Sequence, residues 1–263
     1  MGGAAERPAI ELAGVEKAFG RQRVLRGIDL VVPAGKTTVI VGGSGEGKSV
    51  LMRHMLGLLR PDRGSVRVFG EEITRMGRRA LRRVRRRFGV LFQGVALFDS
   101  MTVYDNVALP LRERTRLSEA EIRARVHERL ALVDLHDVDA KYPAQLSGGM
   151  QKRVGLARAL VIDPEVVFFD EPTTGVDAAR TNELYRLFHR SQQELGYTAV
   201  IVSHDVPKIF KLADQVVLLS GGRLHGGGTP EEFQRSTDPV VREFIATTMG
   251  TLYISDVEEV VSI

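Results

Sequence analysis

The stretch "VIVGGSGEGKSVLMRHMLGLL", residues 39–59, constrains the fold more than any other. It opens on β-branched residues, turns through glycines and continues as an apolar pattern of helical period. Thr37 to Val41 reads as a buried strand, and Met52, Met55, Leu56 and Leu59 fall at i, i+3, i+4 and i+7 on one helix face. Between them lies Gly42-x-x-x-x-Gly47-Lys48-Ser49. A tight turn with an incidental lysine is the competing reading, but the context favours a phosphate cradle. Glycines let successive backbone N–H groups point into one concave nest with no Cβ in the way. The helix that follows adds its free N–H groups and the positive end of its dipole. Lys48 then reaches the β- and γ-phosphates, and the Ser49 hydroxyl ligates Mg²⁺. The expected nucleotide site is Gly42, Gly43, Ser44, Gly45, Glu46, Gly47, Lys48, Ser49 and Val50.

The rest of the chain supplies a scaffold for such a loop. "AIELAGVEKAF", "VLRGIDLVV" and "GSVRVFG" read as short strands, and "RFGVLFQ" as a buried strand ending at Gln93. Residues 100–160 are mostly helical. Ser118 with Glu121 forms a capping box ahead of Ile122, Val126 and Leu130. "EVVFFDEP" and "TAVIVSHD" are continuous apolar runs, as parallel strands covered on both faces require, with a helix around 177–195 between them. "QVVLLSGGRLHGGG" reads as a hairpin turning at Gly221-Gly222. Strands alternating with helices give an α/β core, and the helical block after Gln93 gives an inserted subdomain of about residues 94–163.

Two further signals carry chemistry. "VVFFDEP" delivers Asp170 and Glu171 at the carboxyl end of an apolar strand, where parallel α/β sheets place ligand sites. Asp170 belongs to the Mg²⁺ environment that Ser49 also contacts, through a water molecule, and Glu171 orients and polarises an attacking water. "LSGGM", residues 146–150, precedes "QKRVGLARAL", so Ser147 and two glycines offer a second anion site at a helix N-terminus.

In this order, the phosphate loop, Gln93, LSGG, DEP and His204 of "VSHD" resemble the ATPase subunit of ABC transporters, from about residue 9 to about residue 246. The resemblance implies a P-loop ATPase fold. A RecA-like mixed sheet forms the core, with an N-terminal antiparallel β subdomain and the inserted helical subdomain. It implies ATP with Mg²⁺, and a head-to-tail homodimer in which Ser147, Gly148, Gly149 and Met150 clamp the γ-phosphate held by the second copy. Phe19 stacks on adenine. Gln93 touches Mg²⁺ and the lytic water and relays to a permease. His204 hydrogen-bonds the γ-phosphate and keeps Glu171 and the water in register. Asp177 lies in a loop crossing the dimer interface. The sequence departs from the family pattern at Met150, where glutamine is commoner, and in "TTGVD" before Asp177.

Three stretches, "GVLFQGVALFDSMTVYDNVALPLRE", "LSGGMQKRVGLARAL" and "DPVVREFI", resemble the ATPases of Mce/Mla-type lipid transporters. That resemblance implies integral-membrane permease subunits and an indirect link to an MCE-domain lipid-carrying protein. ATPase chemistry by itself says nothing of cargo. The ATPase of an amino-acid or metal importer, or a regulatory ATPase of cell division or lipoprotein release, are the alternatives. A chromosome-type ATPase would carry a long coiled coil between loop and signature, and no sustained heptads occur there.

Charge and composition narrow the setting. The chain has no cysteine, which excludes disulfides and thiolate chemistry and suits a reducing compartment. The N-terminus has no apolar secretory segment, and no apolar run reaches the roughly 18 residues of a membrane helix. The expected location is the cytoplasmic face of the inner membrane, held through a permease. Net charge is +4, and eight arginines crowd residues 75–89 without interleaved aromatics, so a nucleic-acid partner is not expected. The tail, 250–263, alternates apolar and acidic residues and is expected to dock on the neighbouring ATPase copy.

Overall fold

The computed structural model describes residues 7–249 apart from Pro207. Along the chain run β1 (Ile10–Phe19), β2 (Gln22–Val32), β3 (Thr37–Val41), α1 (Lys48–Met55), β4 (Arg63–Val68), β5 (Glu71–Glu72), α2 (Arg78–Arg85) and β6 (Phe88–Leu91). Three longer helices follow: α3 (Val103–Arg114), α4 (Glu119–Leu132) and α5 (Gly148–Leu160). The second half holds β7 (Val166–Asp170), α6 (Ala178–Leu195), β8 (Thr198–Ser203), β9 (Gln215–Ser220), β10 (Arg223–His225), α7 (Pro230–Gln234) and α8 (Pro239–Met249). The expected tail contact at 250–263 lies outside the described residues.

Two sheets form. The smaller is antiparallel, in the order β2-β1-β4-β5. The larger has the order β10-β9-β3-β8-β7-β6. All of its pairings are parallel except that of β10, which folds back on β9 across Gly221-Gly222. Every residue of β3 and β8 is buried, the reason these strands are unbroken apolar runs.

Because side chains alternate across a strand, the large sheet feeds two cores. Val39, Val41, Val167 and Phe169 point into a core shared with α3, α4, α5 and α6. Ile40, Phe168, Val200 and Val202 point into another, shared with α1 and the small sheet. The phosphate loop sits at the carboxyl edge of β3, between these layers. The capping box at Ser118–Glu121 is present in both directions, and Ile122, Val126 and Leu130 are buried as their spacing predicts.

Two local readings need correction. The helix after the phosphate loop stops at Met55, because Gly57 takes a left-handed φ of 63° and its N–H donates to the His54 carbonyl. Leu59 therefore falls outside the helix, and Leu51 and His54 join Met52 and Met55 in the buried set. Val95, which the sequence places with Leu97 and Phe98 as an exposed-looking apolar residue in a loop outside any clean period, is 4 % exposed. It fills a notch at Gly155, where an added Cβ would lie 2.4 Å from it.

Candidate nucleotide site

Gly42 and Gly47 are glycine for separate reasons. A Cβ on Gly42 would meet the Leu219 carbonyl oxygen at 2.3 Å, and Gly47 caps α1 at φ 99°. The loop is thereby pressed against the end of β9, and Glu46 Oε2 accepts the Gly221 N–H at 2.7 Å. The Glu46 side chain thus has a task in holding the loop, in addition to its place in the motif. At the centre, buried Lys48 donates from Nζ to the carbonyls of Gly42 (2.8 Å) and Gly43 (2.9 Å).

The strand order brings the acidic pair to this loop. β8 lies between β3 and β7, with Asp170 in register with Val202 and Val41 with Ser203. Three adjacent strand ends therefore present Lys48, Asp170–Glu171 and His204 to one space. Ser49 Oγ donates to Asp170 Oδ1 at 3.3 Å. Glu171 Oε1 lies 3.7 Å from Lys48 Nζ, and Glu171 Oε2 lies 2.5 Å from His204 Nδ1. Glu171 has φ 48°, a conformation a non-glycine residue adopts at a cost of about 1–3 kcal/mol, and its N–H donates to the Val202 carbonyl. The turn after β7 is thus held against β8 in a strained form that aims the carboxylate inward.

Among the described residues no three His, Cys, Asp or Glu side chains gather as a metal cage. Ser49 and Asp170 nevertheless offer two converging hard oxygens. That donor set fits Mg²⁺, which keeps waters and takes substrate phosphates as ligands.

The other expected residues lie apart from this cluster. Phe19 ends β1 with its ring 49 % exposed. Gln93 is exposed, and its carbonyl accepts from buried Lys152. Ser147 caps α5 by accepting the Met150 N–H at 3.3 Å. Ser147, Gly149 and Met150 line a separate cleft with Arg153 and Arg180, which contains no phosphate-loop residue. Asp177 caps α6 beside that cleft and accepts the Arg180 N–H.

Three contributors are not visible in the motifs. Lys152 ties the signature helix α5 to the Gln93 loop. The Tyr185 hydroxyl donates to Asp205 Oδ2 at 2.7 Å and contacts Thr173 at 3.1 Å, joining the loop after Glu171 to the one carrying His204. Burial and the Asp205 carboxylate raise the Tyr185 pKa, so it serves as a neutral donor. Asp62 accepts the Ala18 N–H (2.7 Å) and Lys17 Nζ (2.6 Å), pinning the strand end that carries Phe19.

A mixed α/β sheet with a glycine cradle, a buried lysine and paired carboxylates at adjacent strand ends defines a P-loop nucleoside-triphosphate-binding protein. Residues 25–174 match the ABC transporter family. The chain is 44 % identical over 237 residues to the probable ribonucleotide transport ATP-binding protein mkl of Mycobacterium tuberculosis, spanning 90 % of this chain and 66 % of that protein. It is 39 % identical to the intermembrane phospholipid transport system ATP-binding protein MlaF of Escherichia coli, spanning 90 % of this chain and 88 % of MlaF. A dimeric bacterial ABC transporter cassette superposes with a TM-score of 0.77 at 30 % identity, covering 84 % of this chain and 98 % of the cassette. The same cassette matches in a post-hydrolysis state bound to ADP and Pi. The chain belongs to the ABC transporter ATP-binding family. No described helix is long and apolar enough to cross a membrane.

Proposed function

We propose that the chain is the ATP-hydrolysing subunit of an ABC transporter, working as a homodimer bound to integral-membrane permease subunits. One observation carries the chemistry: Glu171 faces Lys48 with one oxygen and His204 with the other. Lys48 and the Gly42–Val50 loop bind the phosphates. Ser49 and Asp170 would hold Mg²⁺, which supplies charge neutralisation on the phosphates when bound. Glu171 accepts a hydrogen bond from the attacking water and polarises it. His204 fixes the carboxylate, and the family likeness assigns Gln93 to the Mg²⁺ and the lytic water. Phe19 offers its open ring face to adenine.

Gly148 and Gly149 support the two-subunit site. Neither has a left-handed φ, no atom lies within 4 Å of a Cβ added at Gly148, and at Gly149 only Arg180 Cδ comes to 4.0 Å. Nothing within the subunit fills the space beside either glycine, which leaves their backbone open to a group that approaches from outside, here the phosphate on the second copy. Ser147→Arg should block hydrolysis while nucleotide still binds. Mixing it with Lys48→Ala protein should restore one intact site per mixed dimer. An ATPase rate linear in subunit concentration down to the dilute range would contradict the composite site.

We take residues 1–249 as the ATPase domain, with about 94–163 as its helical subdomain. Leu58, Phe92 and Phe98, each more than 40 % exposed, gather at one groove of about 350 Å³ floored by Leu109 and Pro110. This groove receives a cytoplasmic helix of the permease. The cargo reading is phospholipid or a related lipid moved between membranes, with an MCE-domain partner beyond the permease. It rests on the MlaF likeness over most of both chains; the relative at 44 % identity carries a different cargo in its name. Co-expression with the candidate permease and lipid exchange between labelled vesicles tests it. ATP-dependent movement of ribonucleotide, amino acid or metal without lipid exchange would reject it.

A further inference from the structure

The arginine run has no role in ATP chemistry, yet it is built into a cleft. Between α2 and the end of α3 lies a recess of about 740 Å³ walled by Arg78, Arg82, Arg85, Arg86, Glu113 and Arg114. Its charged walls carry +4, as much as the net charge of the whole chain. Among the described residues none of these five arginines forms an ion pair, whereas Arg87, next in sequence, pairs with Glu165. Arg85 is held by the carbonyls of Leu56 and Gly57, so its charge stays without a carboxylate. The Arg114 guanidinium is lowered from its ordinary pKa by burial and then by the charge of Arg86.

The helix that bears this charge is at odds with its own sequence. α2 has no acidic residue in its first turn, and its N-cap, Gly77, makes no side-chain cap. Arg78 and Arg79 face the positive end of the helix dipole, and Arg78/Arg82 and Arg79/Arg83 are like charges at i, i+4. Such a conflict between local sequence and fold marks a place where function overrides stability. The missing element is negative charge.

The shape decides which anion. The recess shares Arg85 and Arg114 with the apolar groove of Phe92, Phe98, Leu109 and Pro110, so basic wall and apolar floor form one continuous footprint. A flat bilayer cannot reach guanidinium groups on both walls of a recess. α2 also presents no apolar anchor, since Leu81 and Val84 are both buried. A free phosphate would use the arginines and leave the groove unexplained. We propose that the cleft receives an acidic protein segment whose carboxylates pair with Arg78, Arg82, Arg86 and Arg114 while its apolar face lies in the adjoining groove. The groove part of this footprint rests on the permease-docking reading; the acidic part does not follow from it. Arg is suited to the task because its fork takes a carboxylate through two parallel hydrogen bonds.

The test uses the full chain and designed helical peptides with fluorescent labels. One carries a leucine stripe and three glutamates at one end, a second has glutamines in their place, and a third has lysines. At low salt the glutamate peptide should bind about tenfold tighter than the glutamine peptide, a gain that added salt removes. Arg82→Glu/Arg86→Glu, at two exposed positions, should erase that gain, leave glutamine-peptide binding and ATPase activity unchanged, and favour the lysine peptide. Phe98→Asp should weaken glutamate and glutamine peptides alike. Equal binding of glutamate and glutamine peptides overturns the acidic segment and leaves the groove standing. Binding of both peptides that Phe98→Asp leaves undiminished, with the glutamate gain intact, supports the cleft and removes the groove. No binding of any peptide rejects both, and sedimentation with phosphatidylglycerol vesicles that Arg82→Glu/Arg86→Glu abolishes, with no peptide discrimination, reassigns the cleft to membrane.

Discussion

His204 holds Glu171 twice: its Nδ1 lies 2.5 Å from Glu171 Oε2, and its backbone N–H donates to the same oxygen at 3.3 Å. Glu171 is 14 % exposed and His204 61 %, so the carboxylate is the sheltered partner and the imidazole faces outward. An outward ring can hold the carboxylate and still reach a phosphate oxygen. His204→Ala should therefore lower turnover by about 10²–10⁴-fold with little change in ATP affinity. Single-turnover kinetics beside a binding titration will separate the two. A proportional loss of affinity would make His204 a binding residue instead.

Lys48 should show the opposite pattern. Its ammonium is buried in the loop mouth and held by two carbonyls, so a phosphate that enters exchanges one set of acceptors for another. Lys48→Ala should weaken nucleotide binding itself, by about tenfold or more. Titration with a fluorescent ATP analogue measures this, and an unchanged affinity would count against the loop as the phosphate site.

Asp62 should act on binding through Phe19. It anchors Lys17 and Ala18, and Lys17 Nζ sits 5.5 Å from the Phe19 ring centre. Asp62→Ala frees that strand end, so KM for ATP should rise about three- to tenfold while kcat stays near normal. Asp62→Asn keeps an acceptor and should recover part of the loss. The Lys17 side chain and the Ala18 N–H hold the Asp62 carboxyl below its ordinary range. The contact is thus fully present above the ordinary aspartate value of about 3.9 and is lost as pH falls through the lower folded value.

The notch that seats Val95 is a stability test with a functional readout. An added Cβ at Gly155 meets Val95 at 2.4 Å and Leu91 at 2.8 Å. Gly155→Val should cost about 1–3 kcal/mol in urea unfolding and shift the loop carrying Gln93. Unaltered stability would mean that α5 and the loop after β6 move apart freely.

What the sequence disclosed and what it hid follow one line. The loop Gly42–Ser49, the pair Asp170–Glu171 and the strand-rich core were legible because their spacing is local and their chemistry is tied to backbone geometry. The helix end at Gly57 was missed because apolar periodicity runs on through Leu59, and only the backbone angle of the glycine stops it. Val95 looked exposed because its cover comes from Gly155, sixty residues on in the chain. Asp62, Lys152 and Tyr185 were silent because each acts through a partner that is distant in sequence. The separation of Ser147 from Lys48 within one subunit was implied by the resemblance to ABC ATPases and not by spacing along the chain.

The most direct measurement of the central claim is Glu171→Gln. The amide keeps the shape and the His204 contact but removes the basic oxygen that polarises water. ATP affinity should stay within about twofold of the parent chain, turnover should fall by about 10²-fold or more, and size exclusion with ATP should show an accumulated dimer that ADP does not support. Hydrolysis at the parent rate, or a chain that stays monomeric with ATP bound and uncleaved, would contradict the account.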